Sequence, residues 1–284
     1  MSKKQSLATI DPQQNTGAIV AQTELDFAAD AGAGMEAADQ DSFAIPFLSV
    51  LQKGSPQVDE ASGQAIEAAR AGMFYDNVNG RLFNGKEGVT IIPCSYRREF
   101  LRWGSRSAGG GFKGAYNPEQ VAAMRARGEV VELDGRLFIP EADGSVSAER
   151  SDRLNDTRNH YVLIVDQETG AWSEALLSLT STQIKKSKML MSALAAVKVQ
   201  NSAGQLFTPP TFSNYVRVTS TAESNEKGTW FGVKVEITGR VDRAELYAAA
   251  KGFHATVSKG DVNVKYDAEG ANDAGQDAGT SRGF

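Results

Sequence analysis

The chain has 284 residues, 41% hydrophobic and 23% charged, with a formal net charge of −5. No run approaches the roughly 18 consecutive apolar residues of a membrane-spanning helix. Met1-Ser2-Lys3-Lys4-Gln5 has no apolar segment behind its lysines, so it lacks the form of a signal peptide, and the single Cys94 excludes an internal disulfide. A reducing, cytoplasmic compartment is expected.

Residues 1–42 are rich in Ala, Gly, Gln and Asp and carry seven acids against Lys3 and Lys4. They are expected to form a disordered acidic segment. A single domain over 43–266 should begin at the apolar run Phe43–Leu51, either a strand leading into a short helix or a segment laid against the core. Ser62–Gly72 reads as a weak alanine-rich helix. Gly88–Trp103 is a strand region, β-branched at Val89–Ile92, in which Pro93 marks an edge or a bulge. After the glycine-rich loop Gly104–Gly114, a helix is expected from Asn117 to Arg127 with Pro118 in its first turn.

Glu129–Pro140 reads as a hairpin through Asp134-Gly135. A polar loop, Glu141–Arg158, should lead to a second hairpin, His160–Val165 and Ala171–Leu179, turning at Thr169-Gly170. Ser181–Val197 is the strongest helix, with a capping box at Thr180 and Gln183 and an apolar stripe of Ile184, Leu190, Met191, Leu194 and Val197. Strands Ser213–Thr221 and Thr229–Thr238 follow. A last helix should run from an Asp242 N-cap to about Val257. The tail 267–284 holds four acids against Arg282, which leaves 43–266 at +3 between two acidic ends. The fold class implied is α+β: an antiparallel sheet, or a barrel like the oligonucleotide-binding fold, with appended helices and disordered termini.

Three features suit an anionic, base-bearing polymer. In Tyr96-Arg97-Arg98-Glu99-Phe100-Leu101-Arg102-Trp103, strand alternation places Tyr96, Arg98, Phe100 and Arg102 on one face. Rings there could stack on bases and guanidiniums pair with phosphates. Arg106 and Lys113 extend the run, and residues 95–127 hold seven bases against two acids. Next, no acid occurs between Glu174 and Glu223, a window that includes Lys185, Lys186 and Lys188 on one helix. Finally, Tyr215 and Arg217 alternate with Val216 and Val218, and Trp230 and Lys234 alternate with Phe231, Val233 and Val235. This leaves a polar-aromatic face that is either a stacking platform or buried beneath a helix. The rival readings of the first two features are a sheet with one aromatic core face and a solvated edge, and a solvated helix face.

The tail, acidic and ending in Phe284, resembles the tails of bacterial and phage single-stranded DNA-binding proteins. Ile45–Gln52 with Ser55-Pro56, Ile92–Trp103 with Gly109-Gly110-Gly111-Phe112, and Trp230-Phe231-Gly232 resemble phage early-region proteins. Arg282 beside the end and the modest acidity depart from the tail pattern. The resemblance implies binding of single-stranded DNA in phage replication or recombination, within the host cytoplasm. It also implies replication or recombination partners recruited through Asp273, Asp277 and Phe284.

No catalytic constellation is evident. His160 and His254 have no metal-ligand spacing, Cys94 sits in an apolar run, and Gly104–Gly114 lacks the phosphate-loop pattern. A non-enzymatic protein without cofactor is expected, with self-association left open. The alternative is a phage structural, assembly or host-factor-interacting protein without nucleic-acid function.

Overall fold

The computed structural model describes residues 29–38, 42–105, 107, 109–226, 228–260, 262, 264 and 266. Residues 29–38 form a succession of turns. From residue 42 onward the strands are β1 Leu48–Val50, β2 Phe74–Asp76, β3 Arg81–Phe83, β4 Val89–Trp103 and β5 Phe112–Tyr116. After helix α1 (Pro118–Ala126) come β6 Val131–Leu133, β7 Arg136–Ile139, β8 Asp152–Val165 and β9 Trp172–Thr180. Helix α2 (Ile184–Ala196) precedes β10 Val199–Gln200, β11 Leu206–Phe207, β12 Asn214–Asn225, β13 Gly228–Arg240 and helix α3 (Ala244–Lys259).

Eight strands form the main antiparallel sheet in the order β13-β12-β4-β8-β7-β6, with β5 also on β4 and β9 also on β8. The sheet curls into a half-barrel, giving the α+β architecture expected. Its two ends are linked by β1. Leu176 N–H of β9 donates to the Pro46 carbonyl at 2.8 Å. The Gln52 side-chain amide both donates to Phe231 O and accepts from Phe231 N, each at 2.8 Å. One side chain thus supplies to β13 the hydrogen bonds a neighbouring strand would have made.

Both faces of the sheet are covered. On one, Ile91, Val162, Ile164, Val216 and Val218 pack with Leu190 and Leu194 of α2 and with Leu48 and Phe74. On the other, Ile92, Cys94, Tyr161 and Leu163 pack with Phe212 and with Leu246, Phe253 and Val257 of α3. A smaller core gathers Phe100, Val121, Val130 and Leu154 under α1. Two buried faces explain why His160–Val165 reads as a continuous apolar run with little polar alternation.

Local chemistry sets many boundaries. Asn117 caps α1 through a reciprocal pair, its carboxamide accepting from Gln120 N while the Gln120 side chain accepts from Asn117 N. Asp134 (φ 51°) and Gly135 (φ 72°) make the β6–β7 turn with both residues left-handed, the geometry Asp-Gly favours. The register shifts between Pro93 and Ser95, so Pro93 lies at a β-bulge.

Four expectations are corrected. Ser62–Gly72 forms turns, not a helix; it lacks an apolar stripe that packing could reward. Strand β8 starts at Asp152, so the last seven residues of the anticipated loop, 152–158, are strand. Thr180 makes no side-chain cap, and the Gln183 side-chain oxygen that would complete the box accepts from Val233 N at 2.9 Å instead. The N-cap of α3 is Arg243, while Asp242 accepts the Tyr215 hydroxyl at 3.0 Å. Among the described residues no helix is long and apolar enough to cross a membrane, and no group of three or more His, Cys, Asp or Glu could hold a metal ion. The expected disordered 1–28, 39–41 and 267–284 lie outside the described residues.

Candidate nucleic-acid interface

Strands β4 and β8 pair antiparallel, setting Arg98 opposite Arg158, Phe100 opposite Asp156 and Arg102 opposite Leu154. On the shared face, Arg98 donates twice to the Asp156 carboxylate, at 3.1 and 2.8 Å. Arg158 donates to the same carboxylate at 3.0 Å and to the Tyr96 hydroxyl at 3.0 Å. The Arg98 guanidinium lies 4.9 Å from the Phe100 ring centroid, and the Tyr96 ring 5.1 Å from His160. Four residues away on β8, Asp152 accepts from Arg102 at 2.8 Å and from Lys113 at 2.8 and 3.0 Å.

Two carboxylates therefore hold four cations, and the row carries a surplus of two positive charges. The hydrogen bond that Arg98 donates to Asp156 outweighs burial and keeps its pKa above the ordinary value. Burial pushes the Asp152 carboxyl upward, but hydrogen bonds from Lys113 and Arg102 prevail and hold it below its usual range.

On the opposite face of the same strands, where Glu99, Asn155 and Asn159 point, runs a chain of rings. Trp103 meets Phe112 edge-on at 5.8 Å, Phe112 meets Tyr266 at 4.9 Å, and Tyr266 meets Phe47 at 5.7 Å. Phe112 is exposed, and Trp103 is half-buried. The Tyr266 hydroxyl is fixed by Asn159 at 2.8 Å and Glu99 at 3.2 Å.

The remaining expected residues scatter. Arg97 donates to the Val257 carbonyl of α3 and lies 5.6 Å from the Tyr161 ring, which fixes it between sheet and helix. Phe100 and Tyr215 are buried, which corrects their placement on an open stacking face. The reason is that α1 covers Phe100 and α3 covers the polar-aromatic face at Tyr215. Arg217 donates to Glu87 O at 2.7 Å and Gln167 at 3.4 Å. Lys186 and Trp230 converge on Glu223, at 2.9 and 3.0 Å, and Lys234 lies 3.7 Å from Glu236.

Lys185 and Lys188 project from α2, exposed and without an ion pair among the described residues. Tyr96, Arg98, Arg102 and Lys113 thus come together on one face of β4, β5 and β8 while Trp103 points to the other, and Lys185, Lys186, Lys188 and Trp230 group at α2 and β13. Arg106, Asp273, Asp277 and Phe284 lie outside the described residues.

Sequence reasoning passed over Asp152, Asp156, Phe47 and Tyr266. The acids were legible in principle: Asp152, Leu154, Asp156 and Arg158 share one strand face once β8 is begun at Asp152. The two rings were not, since Phe47 and Tyr266 meet only through the tertiary fold.

A family model described as Pam3 phage gp34-like protein matches residues 14–263. The chain belongs to this family of phage proteins. No curated protein and no solved structure matches it.

Proposed function

We propose that this member of the Pam3 phage gp34-like family binds single-stranded DNA without sequence preference, as a non-catalytic component of phage replication or recombination. The observation that supports this is the surplus of cations on Asp152 and Asp156, with the exposed Phe112 beside Lys113 on β5. Asp152 and Asp156 are four strand residues apart, about 13 Å, a distance an extended strand covers in a few nucleotides. Phosphates would displace part of each carboxylate's hold on its two cations, while the exposed Phe112 ring receives an unstacked base. The exposed Lys185 and Lys188 offer a second cationic stretch.

The test is fluorescence anisotropy of a labelled oligo-dT, with a duplex control, at low and high salt. We expect salt-sensitive binding to the single strand over the duplex. Phe112→Ala should weaken it by about 5- to 100-fold, the range of one lost stacking contact. Absence of binding at low salt, or equal affinity for duplex, would overturn the reading and favour an assembly role.

A further inference from the structure

The cationic row is roofed in its middle. Phe100 and Leu154 stand on the same face of β4 and β8 as Arg98, Arg102, Asp152 and Asp156, and both are buried together with Val121 of α1 and Val130. The Arg98 guanidinium lies 4.9 Å from the centroid of the Phe100 ring. Phe100 thus has the neighbours of a stacking residue and lacks only access. A nucleic-acid strand laid straight from Asp152 to Asp156 meets α1 above Leu154.

This roof is lightly fastened. Val121 is the one buried side chain of α1, and Met124 is half-buried. Among the described residues, the side-chain hydrogen bonds and ion pairs of α1 stay within 117–132, as in Asn117 with Gln120 and Arg125 with Glu132. Gly128, at φ 76°, sits just past the helix, a left-handed position that can serve as a pivot. A helix of nine residues held by a single buried side chain belongs to the least stable part of a fold.

We infer that α1 is a lid over the row, and that its opening releases Phe100 to stack on a base of the bound strand, a role that rests on the single-strand reading above. With the lid lifted, Arg98, Phe100 and Arg102 form an unbroken strip of guanidinium, ring and guanidinium at alternate residues of β4. Phosphates would take the cations while the base between them takes the ring. Closed, α1 keeps Phe100 and Leu154 away from water; open, it leaves apolar surface that a stacked base covers again. The strand therefore prefers the open form and holds it. Apparent affinity is then the affinity of the open form scaled by the fraction of molecules that are open, so loosening the lid tightens binding.

The experiment measures binding of labelled oligo-dT by anisotropy, and hydrogen exchange of residues 118–126, in the full chain and in Val121→Ala and Phe100→Leu variants. Val121→Ala removes two methyl groups from the packing of the closed form and should tighten binding by about tenfold. Phe100→Leu keeps an apolar side chain under the lid but removes the ring. It should weaken binding by about 5- to 100-fold with the salt dependence retained. Amides of 118–126 should lose protection when oligo-dT binds. Unchanged or weaker binding by Val121→Ala, or amides that stay protected in the complex, would overturn the lid while sparing the single-strand reading. If oligo-dT binds none of the three proteins, that reading fails. The lid is then judged in the free protein. Amides of α1 that exchange no faster than those of α2 overturn it; faster exchange, accelerated further by Val121→Ala, retains it.

Discussion

His160 lies beneath α2, its Nε2 2.8 Å from Ser187 Oγ. Burial, with the Arg158 charge nearby, pushes its pKa from 6.5 down to about 4. The folded protein therefore keeps the ring neutral where an unfolded chain would protonate it, and between these values the unfolded state binds more protons. Stability from this group is complete above pH 6.5 and is lost as pH falls toward 4. At about 1.4 kcal/mol per unit the loss is on the order of 3 kcal/mol. We predict that the urea midpoint of the wild type drops between pH 7 and 4.5 by more than that of His160→Gln. Parallel drops would assign the acid sensitivity to other groups. Arg97 gives a related lesson at this scale: it stands between Tyr96 and Arg98, yet its neighbours face one side of β4 while it fastens α3 on the other.

Among the elements, β1 to β3 are joined to the hairpin β12–β13 by few but specific contacts. Gln52→Leu would leave Phe231 N–H and C=O without their amide partners. A destabilisation of about 2 kcal/mol is expected, with faster hydrogen exchange at Phe231; an amide that stays protected would show that the clasp contributes little. Gly85 marks a second contact, since a Cβ there would lie 1.8 Å from the Gly72 carbonyl oxygen and 2.2 Å from Ser220 Oγ. Gly85→Ala should cost about 3 kcal/mol. Gly54→Ala, with nothing within 4 Å of its Cβ, should melt close to wild type; equal melting of both variants would refute the crowding argument.

Elements set by local chemistry were legible in the sequence: the Asp134-Gly135 hairpin, α1 after Asn117-Pro118, and the β12–β13 hairpin. What was not legible depended on distant partners. The first half of β8 is polar, because Asp152 and Asp156 face cations on β4 and β5 and not a core. Gln183 abandons its cap for a strand some fifty residues on. For the candidate site, the cationic-aromatic run on β4 was readable, whereas the burial of Tyr215 required knowing that α3 covers the second face.

Over the whole molecule, the charge pattern sets acidic flanks against a +3 centre. On the proposed reading, the surplus of two on the β8 row with Lys185 and Lys188 amounts to about four phosphate contacts. At ~0.7 per phosphate, log affinity should fall against log salt with a slope of about −3. A slope near zero in a salt titration of oligo-dT binding would sink the electrostatic part of the proposal. The tie between Gln52 and Phe231 also has a temporal side. Its ends are 179 residues apart in sequence, so while the chain is being synthesised the early strand must wait for most of the protein before its partner exists. Closing so long a loop is entropically costly, and topologies dominated by such distant contacts fold slowly. The step that joins the two ends of the sheet should come late, and until then the apolar side chains of Phe47, Leu48 and Phe74 stay open to any chaperone or neighbouring chain within reach.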